Sequence, residues 1–180
     1  MHEQFRSNYL RFSNCGKTYN TSNDETKGGQ MTRVFIDADA CPVKGETLRV
    51  ADRHHIQVFV VSNGGVRPNP HPLVETVVVD DGPDVADMWI ANRCKRGDVV
   101  ITGDIPLAAK CLEMDARVIQ HNGEVFTKSN IGNRLATRDL MQDLRAADPF
   151  RQGGGKPFSK ADRSRFLDIL EREVRFAQQD

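Results

Sequence analysis

The 180-residue sequence has few cysteines, few aromatic residues and no excess charge of either sign. The four cysteines form no C-x-x-C pair and have no histidine at zinc-ligand spacing, which argues against a disulfide framework and a structural zinc site. No apolar run approaches the roughly 20 residues that a membrane-spanning helix needs, and the N-terminus lacks the apolar core of a secretory signal. The composition therefore predicts a cytoplasmic protein with no membrane partner, in which only local charge asymmetry can indicate a ligand.

The first thirty residues differ from the rest of the chain. They are rich in Asn, Ser, Thr and Gly and show neither a helical nor a strand period. We expect residues 1–30 to be a disordered N-terminal extension, with Met31 as an alternative natural start. Residues 31–180 are long enough for one compact core, so we expect a single domain there that ends in a helical segment.

After Met31, short apolar runs alternate with helical patterns. Strands are predicted at Val34–Ile36, Val58–Val61, Val77–Val79, Val99–Ile101 and Val118–Ile119. Helices are predicted at Pro42–His54, Pro83–Arg96, Ile105–Met114 and Ile131–Arg145, and a last helix begins near Ser159. This alternation predicts an α/β fold with three α/β/α layers, a mostly parallel, Rossmann-like sheet and C-terminal helices. The segment 74–79 follows a proline-rich loop and is a candidate edge strand.

Polar residues follow the predicted strands where each strand ends. Asp37 and Asp39 follow the first strand, and Asp104 follows the fourth. The carboxyl ends of parallel strands meet at one sheet edge, where ligands bind in folds of this kind. Asp84 and Asp87 are three residues apart at a helix start, so they share a face over the same edge. Oxygen ligands on rigid elements suit Mg²⁺ or Mn²⁺.

Each of these residues also has a purely structural interpretation. An Asp at a helix start is usually a cap, and this applies to Asp84 and to Asp39, which precedes the helix that opens near Pro42. Cys41 and Trp89 are expected to be packing residues. Asp37 directly continues an apolar strand, and Asp104 occupies the equivalent place after Thr-Gly, so a functional role is favoured for these two.

Five motifs in order carry a family resemblance: FIDADACPVK, DGPDVADMWIAN, VVITGDIPLA, NIGNRLATRDL and GKPFSKADRSRFLDIL. Together they resemble the YaiI/YqxD family of bacterial proteins over residues 31–174. That family is similar to the PIN-like and NYN nucleases, in which acidic residues from the first strand, a central helix and the fourth strand hold a divalent metal. The resemblance implies a PIN-like fold and a metal-dependent nuclease that cuts RNA rather than DNA, with a homodimer as one oligomeric state.

The resemblance also implies roles for individual residues. Catalytic and metal-binding roles fall on Asp37, Asp104 and the pair Asp84 and Asp87, with Asp39 as an added metal ligand. Ser62, Asn63 and Thr102 follow the second and fourth strands at the same edge and are candidate substrate-binding residues.

The phosphate groups of a nucleic acid need cations, and these are concentrated near the C-terminus. Residues 128–165 contain nine Lys and Arg against four Asp, whereas residues 31–127 contain ten Lys and Arg against fourteen Asp and Glu. A basic flank beside an acidic edge suits a metal-dependent phosphodiesterase. The candidate phosphate contacts are Arg134, Arg138, Lys156, Lys160 and Arg163. The alternative is an ordinary solvated helix face, because Asp residues interleave with them.

Two other functions remain open from the sequence. The pattern D-x-D, then VVSN, then GD also resembles the haloacid-dehalogenase phosphatases, where Asp37 would be the nucleophile, Asp39 the acid, Ser62 a phosphate ligand and Asp104 a metal ligand. That interpretation leaves DGPDVADM unexplained. The second alternative is a non-catalytic module that binds nucleic acid or protein on the same fold, with the carboxylates serving only as caps.

Overall fold

The computed structural model describes residues 31–38, 41–147 and 158–180. Within these residues the strands are β1 (Arg33–Asp37), β2 (Gln57–Ser62), β3 (Val74–Val78), β4 (Val99–Ile101), β5 (Arg117–Ile119) and β6 (Val125–Phe126). The helices are α1 (Lys44–His54), α2 (Val85–Ala91), α3 (Ile105–Glu113), α4 (Ile131–Ala147) and α5 (Lys160–Ala177).

The strands form one sheet in the order β3-β2-β1-β4-β5-β6. Strands β1 to β5 are parallel, and β6 runs antiparallel to β5. The predicted α/β class with a mostly parallel sheet is confirmed, and the segment 74–79 contributes an edge strand. The sequence analysis missed β6, because a strand of two residues is too short to show a period.

Helices cover both faces of the sheet because successive residues of each strand point to opposite sides. Ile36, Val58 and Ile101 belong to one core cluster, which includes Phe166 and Leu170 of α5 and residues of α1. Phe35, Val61 and Val100 belong to the second cluster, which includes residues of α2 and α3. Strands buried on both faces explain why the apolar runs in the sequence do not alternate with polar residues.

Local signals account for the starts of two helices. Asp104 caps α3 by accepting a hydrogen bond from the Leu107 backbone N–H at 2.7 Å, and Ser159 forms a capping box with Asp162 at the start of α5. Helix α2 begins later than predicted, at Val85, because Asp84 has a left-handed backbone (φ 60°). The turn before β6 needs a glycine: Gly123 has φ +83°, and a Cβ there would lie 2.9 Å from Arg165 Cγ.

Helix α4 is the least integrated of the described helices. None of its residues is buried, and it packs against α3. No helix in the described part of the chain is long and apolar enough to span a membrane.

Candidate functional site

Four aspartates are brought to the carboxyl ends of β1 and β4, and we call them the carboxylate edge: Asp37, Asp84, Asp87 and Asp104. Asp37 is the last residue of β1 and is buried. Asp104 follows β4, which pairs directly with β1, and begins α3. Asp84 and Asp87 lie at the start of α2. The predicted meeting of strand-end and helix-start carboxylates therefore has its basis in the order of the strands.

Thr102 connects the two strand-end carboxylates. Its hydroxyl donates a hydrogen bond to Asp37 Oδ2 at 3.0 Å and accepts one from the Asp104 backbone N–H at 2.9 Å. The Thr102 side chain is fully buried, so it fixes the relative position of Asp37 and the Asp104 loop.

The pKa of Asp87 is affected by the charges of the other three carboxylates at the edge. Burial and the negative charges of Asp104, Asp37 and Asp84, in that order, raise the pKa of Asp87 to about 6, and only the charge of Lys110 acts in the opposite direction. Like charges that approach one another favour the neutral form of one of them unless a cation intervenes. The carboxylate edge is therefore a region of accumulated negative charge.

Asp84 stands at the N-cap position of α2, as the structural interpretation expected, but its side chain makes no capping hydrogen bond. It has a positive φ, which costs a non-glycine residue free energy and is tolerated best by Asn and Asp. The exposed carboxylate of Asp84 thus adds charge to the edge without serving the helix as a cap.

The described residues include no group of three or more His, Cys, Asp or Glu side chains arranged as a metal-binding cluster. Asp39, a predicted metal ligand, and Lys156, a predicted phosphate contact, lie outside the described residues. Asp37, Asp84, Asp87 and Asp104 interact electrostatically across the edge, but they do not form a complete coordination shell by themselves.

Two further predicted residues shape the loops beside the edge. The Ser62 hydroxyl is fully buried and donates to the Gly64 carbonyl oxygen at 2.8 Å. Asn63 Nδ2 donates to the Gly82 carbonyl oxygen at 3.0 Å, which ties the end of β2 to the loop before α2. Both side chains hold loops at the positions observed here.

The predicted phosphate contacts on α4 and α5 are mostly engaged with acidic side chains. Arg134 pairs with Glu124 at 2.8 Å, and Arg138 pairs with Asp139 at 3.1 Å. Arg163 pairs with the buried Glu46 at 3.1 Å and lies over the Phe158 ring. Lys160 lies exposed at the first turn of α5. This part of the surface resembles the solvated, internally paired helix face that the sequence analysis kept as an alternative.

Cys41 lies behind the edge, where its thiol donates a weak hydrogen bond to the Ile101 carbonyl oxygen at 3.7 Å. Burial, followed by the charge of Asp37, raises the pKa of Cys41 to about 12. A thiol held in its neutral form is a poor nucleophile, and the expected packing role is consistent with this environment.

One cation at the site was missed by the sequence analysis. Lys110 of α3 acts on Asp87 through its charge although it is six residues beyond Asp104. Its position one and a half turns into a helix that starts at the carboxylate edge is the signal that could have identified it.

These features define an α/β protein with a mostly parallel sheet and an acidic site at the carboxyl ends of its central strands. The model of the family described as "Uncharacterized BCR, YaiI/YqxD family" matches residues 35–175, and the chain belongs to this family.

Curated relatives carry the UPF0178 name. The UPF0178 protein of Roseobacter denitrificans is 71% identical over 147 residues, which cover 82% of this chain and 97% of the relative. The UPF0178 protein of Ruegeria pomeroyi is 69% identical over 151 residues, covering 83% and 98%. That of Parvibaculum lavamentivorans is 57% identical over 144 residues, covering 80% and 94%. No solved structure matches the chain.

Proposed function

We propose that this chain is a PIN-like nuclease that hydrolyses phosphodiester bonds, in RNA rather than DNA, with Mg²⁺ or Mn²⁺ bound at the carboxylate edge. The observation that carries the proposal is the environment of Asp87, whose pKa is raised to about 6 by burial and by three neighbouring carboxylates. Perturbed carboxylates at a strand-end site are typical of functional sites.

The donor set suits a hard divalent cation. All four candidate ligands offer carboxylate oxygens, which Mg²⁺ and Mn²⁺ prefer. Asp37, Asp84, Asp87 and Asp104 are the candidate ligands, of which one or two would contact the ion directly. Mg²⁺ usually takes one or two carboxylates and completes its shell with waters and substrate phosphate oxygens, so the lack of a complete protein-made cluster among the described residues is compatible with it.

When bound, the cation would neutralise charge at the phosphate group and lower the pKa of a bound water. The chain itself orients the carboxylates for this. Thr102 holds Asp37 Oδ2, and the Leu107 N–H holds Asp104 Oδ1. Among the described residues no hydrogen bond reaches Asp104 Oδ2, so that atom is available to a ligand. Because its pKa is raised to about 6, Asp87 is mostly ionised at neutral pH, where its charge is unfavourable beside three other carboxylates unless a cation intervenes.

The test is hydrolysis of a labelled single-stranded RNA in Mg²⁺ or Mn²⁺, with Asp104→Asn as the principal variant. Asparagine caps a helix about as well as aspartate, so α3 should keep its start while the edge loses one charge. We expect cleavage by the wild type and a loss of about 100-fold or more in the variant.

Asp80→Asn is the matched control, because Asp80 is exposed near the same sheet edge but does not act on Asp87. It should cleave like the wild type. The same samples are assayed on a phosphate monoester. Turnover of the monoester without RNA cleavage would favour the phosphatase, and RNA binding without any metal-dependent hydrolysis would favour the non-catalytic module.

A further inference from the structure

A second charged region lies at the far end of the helices that begin at the carboxylate edge. Helices α2 and α3 both start at that edge and pack against each other. The chain leaves α2 through the sequence NRCKRG, which exposes Arg93, Lys95 and Arg96. Asp87 lies in the first turn of α2, whereas Arg93 follows the C-terminal end of that helix, two residues after Ala91.

The cations of this region differ from those of α4 and α5 in their pairing. Within the part of the chain that the structure describes, Arg93 and Lys95 form no ion pair with an acidic side chain. The one acidic side chain close in sequence, Asp98, is fully buried and is neutralised by Arg33 at 2.6 Å. The positive charge of Arg93 and Lys95 is therefore available to an external anion.

Arg93 also lies over an aromatic ring. Its guanidinium lies 4.2 Å from the centroid of Trp89, and the Trp89 ring packs on Phe35 and Phe59 at centroid distances of 6.3 and 6.1 Å. One face of the guanidinium is thus fixed by the protein. Because Arg93 is exposed, its other face is presented to solvent, and unpaired bases stack on such planes.

We propose that Arg93 and Lys95, with Lys110 between them and the carboxylate edge, form a binding track for single-stranded nucleic acid along α2 and α3. Lys95 and Lys110 contact phosphates, and Arg93 stacks on an unpaired base while its charge faces the backbone. The track rests on the proposed function for its direction, since it leads a strand toward the carboxylates. A single strand is required because a base within a duplex does not offer its face.

The experiment measures binding of a labelled 12-nucleotide single-stranded RNA to the full chain in EDTA, where metal-dependent cleavage is absent, across a series of salt concentrations. The double variant Arg93→Gln/Lys95→Gln should bind about 10-fold more weakly and lower the slope of log affinity against log salt by about 1.4, since each single-strand phosphate contact contributes about 0.7. The matched control is Arg49→Gln, an exposed arginine of α1 on the opposite face of the sheet.

Arg93→Lys separates stacking from charge. It keeps the positive charge but loses the planar guanidinium, so the salt slope should stay at the wild-type value while affinity falls about threefold or more. This variant leaves the buried aromatic rings in place. Binding by Arg93→Lys as tight as that of the wild type would show that Arg93 acts through its charge alone and would overturn that part of the track.

Several outcomes would overturn the track. One is that the double variant binds the single-stranded RNA as tightly as the Arg49→Gln control does. Another is that the wild type binds duplex RNA as tightly as single-stranded RNA. A third is that the wild type binds anionic lipid vesicles but not RNA. Cleavage by the wild type with unchanged binding in the double variant would remove the track and keep the nuclease. RNA binding that depends on Arg93 and Lys95, without metal-dependent cleavage, would keep the track and remove the nuclease.

Discussion

The two faces of the sheet carry their charges in opposite ways. On the α1–α5 face, acidic and basic side chains pair: Glu171 contacts Arg53, His54 and Arg175 at 2.8 to 3.0 Å. On the α2–α3 face, the four aspartates of the carboxylate edge lie where the helices start, and Arg93 and Lys95 follow the end of α2 without an acidic partner among the described residues. Pairing on the first face serves the fold. The accumulated negative charge at the carboxylate edge is unfavourable unless a cation intervenes, and the proposed function supplies one.

The largest expected effect on this comparison comes from Asp37→Asn, which removes the buried charge at the end of β1. We expect metal-dependent RNA cleavage to fall about 100-fold or more, whereas Glu171→Gln on the other face should leave cleavage unchanged. Rates are measured at saturating Mn²⁺. Equal losses in the two variants would mean that both act through stability alone.

Gly123→Ala tests the α1–α5 face, because it disturbs the contact between α5 and the turn that contains Gly123. A side chain at this left-handed position would meet the backbone and Cγ of Arg165, so we expect a loss of about 2 kcal/mol in the free energy of unfolding. Urea denaturation measures it. A neutral result would show that α5 is not held closely against this turn.

Glu171→Gln should lower the free energy of unfolding by about 1 kcal/mol at pH 7, because it removes a carboxylate with several cationic partners. Burial alone would raise the pKa of Glu171, but the hydrogen bonds from His54 and Arg175, together with the charges of His54 and Arg53, lower it overall. A carboxyl with a lowered folded-state pKa stabilises the protein above its unfolded pKa, and this contribution is lost as the pH falls through the folded pKa. The destabilisation by Glu171→Gln should therefore shrink in acid.

Asp87→Asn should change the free energy of unfolding in the opposite direction, because it should stabilise the protein. Because the folded-state pKa of Asp87 is raised to about 6, ionisation above that pH destabilises the protein, and the variant should be more stable by about 1 kcal/mol at pH 7.5 after allowance for solvent screening of a half-exposed group. The gain should decline below pH 6 and vanish near the unfolded pKa of about 4. Denaturation curves at several pH values in EDTA measure it, and a destabilised variant at pH 7.5 would contradict it.

The sequence predicted the sheet and the position of the carboxylates better than it predicted the cations. Strand ends are local features, so Asp37 and Asp104 could be placed from apolar runs that stop at a carboxylate. Ion pairs can join residues that are far apart in the sequence, as Arg163 and Glu46 are. No local sequence pattern predicts such a pair. Counting charges predicted phosphate contacts in the α4–α5 region, and that remains a prediction; it could not show that Arg134, Arg138 and Arg163 pair with acidic side chains.

The helix boundaries show the same limit. Pro83 and the apolar spacing predicted a helix over 83–96, but α2 covers only Val85–Ala91. The left-handed backbone of Asp84 delays the start of α2, and at its end the Arg93 N–H bonds to the Ile90 carbonyl oxygen three residues back, which tightens the last turn. Backbone conformations of this kind are selected by tertiary packing and are not visible in residue type alone.

The central claim is that the carboxylates converge because a cation belongs among them, and calorimetric titration of the full chain with Mn²⁺ at pH 7.5 tests it most directly. The account predicts saturable binding at submillimolar to millimolar concentration by the wild type and by Asp80→Asn, and no binding by Asp104→Asn. Binding that is absent from the wild type at millimolar Mn²⁺, or that is unchanged in Asp104→Asn, would contradict the account.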